Sequence, residues 1–239
     1  LESGEVLLLE NVRMCEDELP EESPEAKAET EFVRTLAPKF DAYVDDAYSA
    51  AHRSHASIVG FPCVMDAYAG RVMVDEYTAT TAIRDRAFDG PVTLVLGGTK
   101  AEDTIPVVER LADTVDRFCL GGVVGELFLR ADGYDVGYDV TGTDLFDHQW
   151  DAHQETIERT LESSGDCIAL PTDLAYEGDD DERAETTVEG VTKERPFLDV
   201  GSGTAERYAD LVADSAAVFV KGALGVFEDD RFADGTVTV

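Results

Sequence analysis

Between Asp45 and Pro62 the chain reads DDAYSAAHRSHASIVGFP, which sets Arg53 between His52 and His55. A guanidinium presents a planar fork of donors that matches a phosphate or a carboxylate. The chain holds 52 acidic residues against 19 basic ones. A cation flanked by two imidazoles in such a chain points to an anionic small molecule, a phosphate ester. The two histidines are spaced i, i+3, and on a helix they would share a face able to ligate a metal. No third ligand of suitable type stands nearby in the sequence. The other readings are a histidine that orders Arg53 by hydrogen bonds and a structural histidine in a loop. Arg13 follows the apolar run of LLLENVRM. Just past a buried strand it would lie at the ligand edge of a sheet; the alternative is a surface arginine paired with Glu10 or Glu16.

Two further segments carry candidate chemistry. LVLGGTKAEDTI places Lys100 after a Gly-Gly step that opens a helix. Glycines let a backbone approach a phosphate, helix N-terminal N–H groups favour anions, and the ammonium adds a mobile point charge. The spacing is not that of a P-loop, and no G-x-G-x-x-G follows a strand. Gly121 and Gly122 repeat the strand, Gly-Gly, helix theme in RFCLGGVVGELFL, and such steps also serve plain helix–strand packing. VFVKGALGVFE closes on Glu228. A carboxylate at a sheet edge accepts from ribose hydroxyls; in so acidic a chain the alternative is one more solvated side chain.

These groups need elements to hold them. Short apolar runs alternate with helical patterns. Residues 5–11 read as a buried strand, 23–40 as a helix capped by Ser23, 70–88 as a long amphipathic helix and 91–98 as a buried strand. Helix 102–115 follows, then the strand–helix pair 117–133, helix 148–165, strand 166–177, helix 202–215 and the strand-to-turn segment 216–228. Buried strands alternating with helices imply an α/β fold of parallel βαβ units with covered faces. Ligands then sit at the strands' carboxyl ends, where both Gly-Gly steps and KGALG fall. Helix 70–88 is the natural divider between an N-terminal and a C-terminal block.

Composition narrows the function classes. The 239 residues are 44% hydrophobic, enough for a sizeable core. The formal charge is −33, and only five of the basic residues are lysine. A surface this negative repels itself at low salt, and molar salt removes that cost by shrinking the Debye length to about 3 Å. The pattern suits a halophilic cytosol. It argues against nucleic acid or an anionic membrane as partner, since both want a basic face. The four cysteines are scattered, with no C-x-x-C pair, and read as reduced thiols. No apolar run approaches the roughly 20 residues of a membrane span, and the opening stretch lacks the features of a signal peptide. A cytoplasmic location follows as the expectation.

GEVLLLENVR, DAYVDDAYSAAHRSHASIVGFP, the AGRVM helix, LVLGGTKAEDTI, LGGVVGELFL, IALPTDLAY, LDVGSGTAERYADLV and FVKGALGVFE stand in one order. Together they resemble the phosphoglycerate kinase family, of the archaeal, halophilic type, over nearly the whole chain. The resemblance implies two Rossmann-like parallel-sheet domains joined by a long helix, both incomplete here. Residues 1–69 would be part of an N-terminal glycerate-phosphate-binding domain, 70–88 the interdomain helix, and 89–239 a nucleotide-binding domain lacking its C-terminal end. It implies reversible phosphoryl transfer between 1,3-bisphosphoglycerate and ADP, giving 3-phosphoglycerate and ATP, by a monomer using Mg2+ whose protein ligand lies outside this chain. Arg13 and Arg53 then match the patch that binds the three-carbon acid, with Arg13 and Lys100 as the catalytic pair. Lys100 would neutralise the nucleotide phosphates or the transferring group. Gly121 and Gly122 would lie beside the adenine and Glu228 at the ribose. Two departures stand out: Thr104 replaces a lysine found in many members, and Lys221 occupies a place often held by asparagine. The family's DxN and SHLGRP elements would precede Leu1, and its GGGDT loop with the magnesium-binding aspartate would follow Val239. Little activity is therefore expected of these residues alone. A non-catalytic acidic scaffold, or another nucleotide-dependent α/β enzyme, is the alternative.

Overall fold

The computed structural model describes residues 4–85, 88–137 and 145–239. It divides into two compact units, Leu1–Thr81 and Ala82–Val239.

In the first unit the single helix expected over 23–40 is two, α1 (Pro24–Ala28) and α2 (Glu31–Leu36). Thr30 makes the break. Its backbone is extended, and its hydroxyl donates to Lys27 O at 2.7 Å while accepting from Val33 N at 3.4 Å. One side chain thus ends one helix and caps the next. The strands β1 (Tyr43–Asp45) and β2 (Ala67–Ala69) pair in parallel, Tyr43 opposite Ala67. Helix α3 (Arg71–Arg84) follows; residues 86 and 87 of the helix expected over 70–88 lie outside the described residues. Val33, Ala56 and Phe61 form a small core. The Phe61 ring stacks on Tyr43 and meets Phe32 edge-on, both at 5.7 Å. Gly60 lets these pieces close: a Cβ there would lie 2.7 Å from Val33 Cγ2 and 3.1 Å from Lys27 O.

The strand expected over 5–11 is absent. Val6 and Leu8 are 93% and 92% exposed, and no described strand pairs with the segment. An apolar run supplies only propensity; a strand also needs a neighbour's N–H and C=O groups. Helix α3 likewise buries none of its residues, leaving Val72, Val74 and Tyr77 exposed.

The second unit begins its sheet with β3 (Val92–Leu96), followed by α4 (Ala101–Leu111), β4 (Arg117–Leu120), α5 (Gly122–Ala131) and α6 (Leu145–Ser164). Then come β5 (Ile168–Ala169), β6 (Asp173–Glu177), β7 (Arg183–Thr187), β8 (Asp199–Val200), α7 (Ser202–Ala213), β9 (Ala217–Lys221) and α8 (Asp234–Thr238). A parallel sheet has the order β5-β4-β3-β9. Every residue of β3 is buried, as a central strand covered on both faces requires. On one face Leu94 and Leu96 pack with Ile105, Leu127, Phe128 and Ile157 from α4, α5 and α6. On the other, Val95 and Cys119 pack with Ala205 and Tyr208 of α7. The Tyr208 hydroxyl lies 2.7 Å from Ala169 O and 2.9 Å from Leu120 O.

A second sheet, β7-β6-β8, is antiparallel. Residues 166–177, expected as one strand, are two: the chain leaves the parallel sheet at β5, passes Leu170-Pro171-Thr172, and enters the antiparallel sheet as β6. Pro171 lacks the N–H that a continuous ladder needs. The acidic stretch 177–185 is the β6–β7 hairpin, with Asp181 at φ 61°. Among the described residues no helix is long and apolar enough to cross a membrane.

Candidate functional site

The carboxyl ends of β3, β4 and β9 meet in one glycine-lined rim of the second unit. Gly97 N–H donates to Lys221 O at 2.9 Å and Gly98 N–H to Ala223 O at 2.8 Å. Gly121 N–H donates to Leu96 O at 2.9 Å and Gly122 N–H to Leu224 O at 3.0 Å. The glycines are required by this mutual closeness. A Cβ on Gly97 would stand 2.1 Å from Ala223 O, and Gly122 combines a φ of 56° with a site 2.8 Å from Gly98 O. The two Gly-Gly steps therefore knit three loops together, and these four amides are engaged with backbone carbonyls. The first amide of α4 is taken as well: Ala101 N–H donates to Gln149 Oε1 at 2.7 Å.

Positive charge at this rim comes from side chains. Lys100 is the exposed N-cap residue of α4 and forms no ion pair among the described residues. Lys221, the last residue of β9 and the register partner of Leu96, reaches into the first turn of α4, where its Nζ donates to Thr104 Oγ1 at 3.3 Å. Glu228 lies exposed in the turn beyond Gly225, its carboxylate without a hydrogen-bond partner among the described residues. Glu126 sits on α5, one turn after Gly122, and is 8% exposed. Burial alone pushes its carboxyl up to about 8.

In the first unit Arg13 lies in a short turn, Val12–Met14, capped by Asn11 Oδ1. Its exposed side chain forms no ion pair with Glu10 or Glu16. Arg53 is exposed too, in the bend after Tyr48–Ala50. The segments behind them are tied together by Glu18, which is 1% exposed. Its carboxylate accepts from Ser57 Oγ at 2.6 Å and Ser57 N at 2.8 Å, and faces His55 Nδ1 at 3.4 Å. The fully buried Lys27 places its ammonium on Asp17 O at 2.6 Å and Glu18 O at 3.1 Å. His55 is thus held by a carboxylate; His52 lies in a turn and His55 in extended backbone before the Ala56–Gly60 helical turn, not on a common helix face. The acidic pair upstream holds the same loop: Asp45 Oδ1 accepts from Ala47 N and Asp46 Oδ1 from Met73 N, at 2.9 and 3.0 Å.

Of the residues expected from sequence, Lys100, Gly121 and Gly122 converge on the rim, and Arg13 and Arg53 project from segments joined through Glu18. Sequence reasoning missed Glu18, Lys27, Glu126 and the reach of Lys221. The scarcity of lysine was the available signal for two of them. No group of three or more His, Cys, Asp or Glu that could hold a metal occurs among the described residues.

A parallel sheet covered on both faces, with lysines at a glycine-lined carboxyl rim, defines an α/β protein of the class that binds ligands at its strand ends. A family model described as phosphoglycerate kinase matches residues 1–239, and the chain belongs to that family. It is 66% identical over 240 residues to the phosphoglycerate kinase of Halorubrum lacusprofundi, covering 100% of this chain and 59% of the relative. To that of Haloarcula marismortui it is 60% identical, covering 100% of this chain and 60% of the relative. A crystal structure of phosphoglycerate kinase from Pyrococcus horikoshii superposes with a TM-score of 0.90 at 31% identity, covering 100% of this chain and 60% of that one. The chain thus spans about 60% of the length of these relatives.

Proposed function

We propose that the full-length protein carrying these residues transfers a phosphoryl group reversibly between 1,3-bisphosphoglycerate and ADP, yielding 3-phosphoglycerate and ATP. The observation that carries this reading is the family match across all of residues 1–239. Phosphoryl transfer leaves a protein little covalent work, so catalysis rests on alignment and on positive charge at the transferring oxygens. Lys100 is the cation for the nucleotide phosphates, and its lack of an ion pair among the described residues, in a chain of charge −33, favours that role. Gly121 and Gly122 flank the base, and Glu228 takes the ribose hydroxyls. Arg13 and Arg53 hold the phosphate and carboxylate of the three-carbon acid, with Arg13 also acting on the transferring group. Mg2+ bound with the nucleotide would supply further neutralisation of phosphate charge, with its protein ligand expected outside residues 1–239. The enzyme works as a cytoplasmic monomer.

The test is a coupled assay on the full-length protein and on the 239-residue chain. Turnover is expected from the first and little from the second. Absence of turnover in the full-length protein, with ADP still failing to bind, would favour the scaffold reading instead.

A further inference from the structure

At the rim the amides of Gly97, Gly98, Gly121, Gly122 and Ala101 already have partners. Cationic side chains can meet phosphate charge there, and Lys100 is one ammonium. Lys221 provides a second. Its backbone is fixed by the β3–β9 ladder, with Leu96 opposite. Its Nζ stands 3.3 Å from Thr104 Oγ1, and that hydroxyl lies 3.4 Å from Lys100 O. The hydroxyl can therefore donate to the Lys100 backbone carbonyl and accept from the Lys221 ammonium, so it orders Lys221. Thr104 is fully buried and Lys221 partly so. An ammonium has three donors. One goes to Thr104, and no carboxylate pairs with Lys221 among the described residues, although the chain holds 52 acidic side chains. A partly buried ammonium without a counter-charge is costly, and an arriving anion removes that cost.

We propose that Lys221 is a second phosphate-binding cation of the nucleotide site, and that Thr104 positions it. The assignment rests on the nucleotide reading above. Because Lys221 Nζ and Thr104 Oγ1 are neighbours, an ammonium delivered from position 104 can occupy the same space once residue 221 is shortened.

The test measures ADP and adenosine binding to the full-length protein by calorimetry at molar KCl. Lys221→Met should weaken ADP about tenfold, the loss of one charge-assisted contact, and leave adenosine unchanged. Lys221→Arg should keep ADP affinity within about threefold. The double variant Lys221→Ala with Thr104→Lys should recover much of the loss. Melting temperature within a few degrees of the parent certifies the fold of each variant. Equal ADP affinity for Lys221→Met and the parent would overturn the assignment while leaving the nucleotide reading intact. A parent that binds neither ADP nor adenosine would overturn both.

Discussion

Replacing Glu126 with glutamine keeps the shape of a buried side chain and removes a titrating proton. Burial raises this carboxyl from 4.5 to about 8. In the folded chain it therefore stays protonated through neutral pH, whereas in the unfolded chain it ionises near 4.5. Between those values the folded state binds more protons than the unfolded state, so stability falls as pH rises. The slope is about 1.4 kcal/mol per pH unit. This group's stabilisation is complete below about 4.5 and lost as pH climbs to about 8. From pH 5 to pH 7 the loss amounts to about 3 kcal/mol. Glutamine at this position has no such slope. Urea unfolding of parent and Glu126→Gln, followed by circular dichroism at pH 5, 6, 7 and 8 in fixed molar KCl, isolates the effect, because every other carboxylate is common to both. The variant should gain on the parent by about 3 kcal/mol between pH 5 and 7 and level off above 8. Stability curves that run parallel across this range would refute the burial argument.

Other perturbations probe other parts. Arg183 donates to Asp199 Oδ2 at 2.9 Å and to Val200 O at 2.9 Å, and the Asp199 side chain is 0% exposed; Arg183→Ala should cost about 3–5 kcal/mol by leaving a buried charge unpaired, and a denaturant midpoint within error of the parent would contradict this. On the proposed function, Arg53→Ala in the full-length protein should raise KM for 3-phosphoglycerate with KM for ATP largely kept, and steady-state kinetics showing the reverse would refute the proposed role of Arg53 in holding the three-carbon acid. With a net charge of −33, the melting temperature should climb steeply from low to molar KCl as repulsion is screened; a thermal scan insensitive to salt would sink that reading.

Local pattern decided much of the molecule. The run PVTLVLGG is a buried strand with a tight exit because a continuous apolar segment closed by glycines suits the centre of a covered parallel sheet, and β3 occupies that place. Ser23 caps α1 through Ala26 N, as its type and the following proline implied. The motif order puts Lys100, Gly121 and Gly122 just past strand ends, where α4 and α5 begin. What local pattern could not supply was the partner across space. The apolar residues 6–9 look like a strand yet have no described neighbour to pair with, and IALPTDLAY looks like one strand yet serves two sheets. Glu18, Lys27 and Glu126 are charged types whose burial depends on packing from distant segments, so sequence spacing gave no sign of it. Lys221 and Thr104 are separated by 117 residues along the chain, and only the parallel pairing of β9 with β3 brings an ammonium to that hydroxyl. Types and order set which charges exist and roughly which edge they reach; the fold sets which of them face one another, because hydrogen bonds and burial act over a few ångströms regardless of distance in sequence.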